Sequence, residues 1–425
     1  MNLLLSIFYL VFYFHFYTYI TTATTTIIVD PKVIPVTDTN LYYSLYNWDL
    51  STISSARTSN PGASLKFAFT NTTSISIVFN TSLVASTSSS CLSIAYILND
   101  NPWAYTLLNP GNATYIFTIS TTLNPTNINY IRLYLHATCE QKDRWLFTNS
   151  NSFLVITGII MDTTGITVPL PSFLRLPFKA MVYGDSISEG TNTQNYNYEQ
   201  GTCGGTTGLR VSSSVDSWAY SFCNSVPAEC SLIAFAAQGY VTTNSYNYGN
   251  VPPLLTMNDD THSAWNKLFV NISRIPLLLQ TIPDLIVNAL GFNDQNNDVV
   301  PTELTNTITT WINTTRLLFI NNATVPIIAI LTPFGGEMRT NNITRNAIIQ
   351  GFRNYQQSVP NDYCTILVDT YPYAQLGLQG LGSPTAESCD GTHPLARTAG
   401  YIGSMVGSKL KEILYQSNCP NKLIW

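Results

Sequence analysis

Charge is what this sequence has least of. Of 425 residues, 19 are Lys or Arg and 24 are Asp or Glu, so 10% are charged, against about 25% in an ordinary soluble protein. The net charge is -5. No basic excess is available to neutralise phosphates, which excludes a nucleic-acid binder. There is no HExxH and no CxxC, so no metal site of these kinds and no cofactor is expected. No Lys or Arg precedes the N-terminal apolar run, and no second run long enough to span a bilayer follows it. What is present is 45% apolar and 12% aromatic residues. That much core-forming material excludes disorder. The length suggests two domains.

The apolar run, Leu3 to Tyr19, ends in Thr21 and Ala23, which fit the small-x-small pattern of a cleavage site. Residues 1–23 therefore read as a signal peptide, with an uncleaved anchor as the alternative. After cleavage no stable membrane span is expected. The protein would be secreted, or held in the endomembrane lumen. Eight cysteines agree with an oxidising compartment. If the two halves are separate domains, Cys91–Cys139 is the pairing open to the first, and the other six remain open. Sequons stand at Asn71, Asn80, Asn112, Asn271, Asn313, Asn322 and Asn342; sugars there would coat a charge-poor surface.

Residues 24–170 read as an all-β domain. Short apolar or alternating runs recur at Leu65–Phe69, Ser74–Phe79, Leu92–Leu98, Thr114–Ile119, Tyr130–Leu135 and Phe153–Met161. Turn signals such as Asn60-Pro61-Gly62 divide them. This spacing predicts a sandwich or jelly roll. Residues 178–425 alternate instead. Strands are expected at Lys179–Tyr183, Leu232–Ala236, Leu285–Leu290, Ile327–Leu331 and Thr365–Val368. Helices are expected at Asp216–Ser225, Glu303–Phe319, Ile343–Gln357 and Leu395–Leu414. Five apolar strands with helices between them imply a parallel sheet covered on both faces. Its ligand site would lie at the carboxyl ends of the strands.

Polar clusters follow the first three strands, Gly184-Asp185-Ser186, Gln238-Gly239 and Gly291-Phe292-Asn293-Asp294, and a fourth, Asp390-Gly391-Thr392-His393, stands just before the last helix. Together they offer what acyl transfer needs. Ser186 is the nucleophile and His393 the base. Asp390, three residues before it, orients the imidazole. The N–H groups of Ser186 and Gly239 and the amide of Asn293 are the candidate oxyanion donors. Asp185 and Asp294 read as loop-holding residues, and Glu189 has no evident chemical role. The α/β-hydrolase elbow Gly-x-Ser-x-Gly is not met, because Ser188 stands at its fifth position.

Four motifs in this order resemble the SGNH, or GDSL, hydrolases over about 178–415. The resemblance implies a flavodoxin-like three-layer α/β/α domain, with Ser186, Gly239, Asn293 and His393 as its motif residues and Asp390 as its triad acid. A β-jelly-roll before such a domain looks like the carbohydrate esterase family 2 arrangement, which implies acetyl esters of polysaccharides as substrates. Trp265, Tyr246 and Tyr248, with Tyr240, are candidate platforms for a sugar ring, beside the more ordinary reading that each packs its own loop. Two alternatives stand beside this reading: an acylhydrolase on lipid or longer acyl esters, and an inactive glycan-binding protein. Acyl transfer to a sugar acceptor, rather than to water, is a further possibility.

Overall fold

The computed structural model describes residues 31–84, 91–139, 144–146, 152–197, 202–203, 211–242, 251–256, 263–320, 325–334, 342–371, 388–390 and 392–420. The signal segment and Tyr246 and Tyr248 lie outside them.

The first part of the chain folds into two six-stranded antiparallel sheets. One runs in the order Asp49–Thr52, Ser55–Thr58, Leu154–Met161, Ile75–Phe79, Tyr115–Ser120, with Lys32–Ile34 also on Leu154–Met161. The other runs Ile166–Val168, Ser64–Thr70, Asn129–Thr138, Leu92–Leu98, Ala104–Leu107, with Tyr42–Tyr43 also on Ser64–Thr70. Alternation selects the facing residues. Leu65, Phe67 and Phe69 from one sheet and Ile75, Ile77 and Phe79 from the other enter a single core. Cys91–Cys139 ties this part internally, while Cys223–Cys230 and Cys364–Cys419 tie the second.

The second part is a five-stranded parallel sheet. Its strands are Phe178–Gly184, Ala228–Ala234, Leu285–Asn288, Ile327–Leu331 and Thr365–Val368, in spatial order second, first, third, fourth, fifth. Both faces are covered. Ala180 and Val182 point to a core shared with the helices Trp218–Ser225 and Ala396–Gln416. Met181 and Tyr183 point to a core shared with Pro301–Phe319 and Ile343–Ser358. The helix starts follow local chemistry: Ser217 accepts the Tyr220 N–H at 3.2 Å as an N-cap, and Pro301 occupies the first helical turn.

The second strand departs from the expectation. It begins at Ala228, four residues before the expected Leu232, and ends at Ala234. Its polar start, Glu229 and Cys230, hid it from an apolar count. It is an edge strand of the parallel sheet, and the β-rich part covers it. Asn47 Nδ2 donates to Leu232 O at 3.0 Å, and the Tyr46 N–H donates to Ser231 Oγ at 3.3 Å. Covering an edge in this way removes a template for unwanted pairing. Two buried ion pairs also cross between the parts: Lys66–Glu229 at 2.7 Å, and Arg144–Glu189.

Candidate active site

The loops that carry Ser186, Gly239 and Asn293 follow the carboxyl ends of three strands of the parallel sheet, and Asp390 and His393 precede the last helix. Phe178–Gly184 delivers Asp185 and Ser186. Asp185 caps the one-turn helix Ser186–Glu189, its Oδ1 accepting the Ile187 N–H at 3.0 Å. Gly190 ends that helix at φ +78°, where a side chain would also strike Ser213 O. Ser186 thus stands at a sharp strand-to-helix corner, half-buried and open on one side.

His393 Nε2 lies 2.9 Å from Ser186 Oγ, and His393 Nδ1 lies 2.7 Å from Asp390 Oδ2. This is the geometry of a nucleophile, a base and a group that orients the base. Asp390 is itself held. Its Oδ1 accepts the N–H groups of Thr392 and His393 at 2.9 and 2.8 Å and the Ser388 hydroxyl at 3.1 Å. Its Oδ2 also accepts the Asn192 amide at 2.8 Å. Partial burial alone would raise the Asp390 pKa. The bonds from His393, its charge and the Asn192 amide outweigh that and hold the carboxyl well below the usual range.

The expected oxyanion donors are differently placed. The Gly239 N–H donates to Thr242 O at 2.9 Å, so in this conformation it is not presented to an oxyanion. The reason lies in Asp294. Its buried carboxylate accepts the N–H groups of Tyr240, Val241 and Thr242 at 2.8, 2.9 and 3.2 Å and curls this turn around itself. A Cβ on residue 239 would meet that carboxylate at 2.6 Å, which is why a glycine stands there. The Asn293 amide donates to Gln238 O at 3.0 Å and to Asp185 Oδ2 at 3.2 Å. Among the described residues no group accepts the Ser186 N–H. Burial raises Asp185 to about 7 and Asp294 to about 6, with backbone N–H bonds opposing the rise in both. Both carboxylates hold loops, as their positions in the sequence suggest.

Trp265 corrects an expectation. It is 5% exposed and belongs to the core around Leu254, Trp311 and Leu290. Its carbonyl is gripped by the Tyr183 hydroxyl and by Arg274 Nη1. A ring enclosed in this way offers no face to a sugar. Tyr240 is likewise fully buried, edge-on to Trp311.

Two participants escaped sequence reasoning. Asn192 steadies Asp390 from a left-handed backbone position (φ +56°), a conformation Asn tolerates better than most residues. Glu189, without an evident role in the sequence, is 4% exposed and pairs with Arg144, which also donates to Thr138 Oγ1 at 3.0 Å. The pair anchors the end of the helix Ser186–Glu189 to the β-rich part. Nothing local in the sequence signals either contact, since the partners meet only through the tertiary fold.

No family model and no curated protein matches this chain. Solved structures match it in fold, over both of its parts. A family two carbohydrate esterase from Cellvibrio japonicus matches with a TM-score of 0.64 at 14% identity, covering 90% of this chain and 98% of that one. A family two carbohydrate esterase from Clostridium thermocellum, in complex with cellohexaose, gives 0.65 at 16% identity, covering 88% and 99%. An acetyl xylan esterase from the rumen bacterium Butyrivibrio proteoclasticus gives 0.65 at 12%, covering 91% and 99%. The chain shares the two-part fold of these enzymes.

Proposed function

We propose that this chain is a secreted serine esterase of the SGNH type that hydrolyses acetyl esters on carbohydrate. In this reading residues 1–23 are a signal peptide, 24–170 a jelly-roll-like sandwich domain and 178–425 a flavodoxin-like hydrolase domain. The observation that carries it is the hydrogen-bonded chain Ser186–His393–Asp390 at the carboxyl edge of the parallel sheet. The shared fold with carbohydrate esterases supports the substrate class.

The chemistry follows from the geometry. Ser186 Oγ attacks the acyl carbonyl while His393 Nε2 takes its proton. Asp390 holds the Nδ1–H and stabilises the imidazolium. The oxyanion forms beside the Ser186 N–H. Asn293 and Gly239 join it by exchanging Asp185 and Thr242 O for the new, more strongly charged acceptor. His393 then protonates the departing sugar oxygen as the ester C–O bond breaks, releasing the sugar hydroxyl and leaving an acyl-Ser186. Water, deprotonated by His393, attacks that ester and releases acetate, and Ser186 regains its proton.

The test is acetate release from a panel of acetylated glycans by the purified chain. Release is expected from the wild type and not from Ser186→Ala. A preference for acyl chains of about eight carbons or more over acetyl, on soluble esters, would move the substrate class to lipid.

A further inference from the structure

A cavity of about 130 Å³ opens at the junction of the two parts, and none of the residues lining it belongs to the triad. One wall is the outer face of the sandwich strands Ser64–Thr70 and Asn129–Thr138. The other is the edge strand Ala228–Ala234 with the helix Trp218–Ser225. Lys66 and Arg132 are register partners on the two antiparallel sandwich strands, and both line the cavity. Like charges placed directly opposite each other repel. In a chain with only 19 basic residues, two of them face one half-closed space.

One carboxylate lines that space, and it is already engaged. Glu229 Oε2 pairs with Lys66 Nζ at 2.7 Å, and its Oε1 accepts the Leu176 N–H at 2.8 Å. Asp100, which does not line the cavity, accepts the Tyr130 hydroxyl at 2.5 Å. Arg132 makes no hydrogen bond or ion pair among the described residues, and its Nε is buried. A buried guanidinium N–H without an acceptor is costly, and the cavity holds one positive charge in excess. The rest of the lining is mixed: aromatic and hydroxylated side chains stand beside Leu174, Leu176, Leu232 and the Cys223–Cys230 disulfide. Phe173, 66% exposed, stands at the rim, steadied edge-on by Tyr130 at 5.5 Å. The rings of Tyr134 and Tyr220 lie 5.9 Å apart, also edge-on.

A planar fork of donors suits a carboxylate. A free aromatic face beside hydroxyl groups suits a sugar ring, which is apolar on its faces and polar at its edge. We propose that this cavity binds a sugar acid, its carboxylate on the Arg132 guanidinium and its ring against Phe173. The assignment is independent of the esterase reading, because it uses none of the catalytic residues.

Isothermal titration calorimetry of the full chain tests it, with D-glucuronate as the probe and D-glucose, acetate and sulfate as controls. Glucuronate is expected to bind, glucose not to bind, and the two simple anions to bind at least about tenfold more weakly. Arg132→Gln should weaken glucuronate about 10- to 100-fold, the loss of one charged hydrogen-bonding group. Phe173→Ala should weaken glucuronate and leave acetate unchanged. Ser186→Ala should bind glucuronate like the wild type. Because Lys66 loses a like-charged neighbour, unliganded Arg132→Gln should melt no lower than the wild type. Equal binding of glucose, undiminished binding by Arg132→Gln, or acetate or sulfate as tight as glucuronate would each overturn the assignment. A lower unliganded melting temperature in Arg132→Gln would make that arginine a structural residue instead.

Discussion

Ser186, His393 and Asp390 form an unbroken hydrogen-bonded chain, while the donors of Gly239 and Asn293 are bonded elsewhere within the protein. The difference comes from what each group meets before any substrate arrives. The triad groups complement one another, since hydroxyl, imidazole and carboxylate alternate as donor and acceptor. Oxyanion donors have no oxyanion to meet, and a buried N–H seldom stays unbonded. They therefore close on Thr242 O, Gln238 O and Asp185. The carboxylates divide in the same way. Asp390, partly exposed and ringed by donors, is held ionised, whereas Asp185 and Asp294, fully enclosed, are pushed toward their protonated forms. In the proposed reaction, nucleophile attack starts from a prepared arrangement, while oxyanion binding exchanges internal partners for a charged one.

Four variants break or sharpen that contrast. The largest effect is expected on the prepared side. Ser186→Ala should lower kcat on 4-nitrophenyl acetate by roughly 10⁴- to 10⁶-fold; retention of even a tenth of the rate removes Ser186 from the chemistry. Asp390→Asn comes next, at about 10⁴-fold in kcat, because the imidazole loses its orienting partner.

That second variant also separates the two titrations. The folded Asp390 pKa lies below its ordinary value of 3.8. Its stabilising contribution is therefore full above that value and is lost only as pH falls through the lowered one. Over the ordinary acid limb Asp390 stays charged, so that limb belongs to His393, whose protonation removes the acceptor for the Ser186 proton. Without the carboxylate the imidazolium is less favoured, so the residual activity of Asp390→Asn should hold to lower pH than the wild type. An acid limb that does not move would uncouple the two residues.

Glu189→Gln should cost about 3–5 kcal/mol of stability, because it leaves the Arg144 charge enclosed and uncompensated. Chemical denaturation reads this directly. A loss under about 0.5 kcal/mol would mean that the pair does not anchor the nucleophile helix. Smallest is Asn293→Ala, expected at about 10²- to 10³-fold in kcat with KM little changed. A loss below threefold would leave Asn293 as a loop tether to Gln238 and Asp185, and the contrast between the two sides would become permanent.

Much of this was legible residue by residue. Ile327–Leu331 and Thr365–Val368 are strands at the expected limits, because unbroken apolar runs between turns have few other solutions. Ser186, His393 and Asp390, the proposed triad, stood out in the sequence because Ser186 closely follows an apolar strand and the other two stand three residues apart just before the last helix. The start of Ala228–Ala234 was not, since Glu229 is polar and its concealment depends on Lys66, 163 residues away in sequence. Trp265 misled for the converse reason. An aromatic in a polar loop looks available, and only the packing of Val251, Leu254 and Trp311 around it removes it from the surface.

The sequence by itself determined the scarcity of charge, the two secondary-structure regimes and the order of the proposed catalytic residues, because these depend on composition and local periodicity. The tertiary structure alone decided which of the few charges became buried partners, that Arg132 has none among the described residues, and which way the proposed oxyanion donors turn. Those outcomes depend on contacts between residues far apart in the chain, where burial raises the cost of every unmatched polar group.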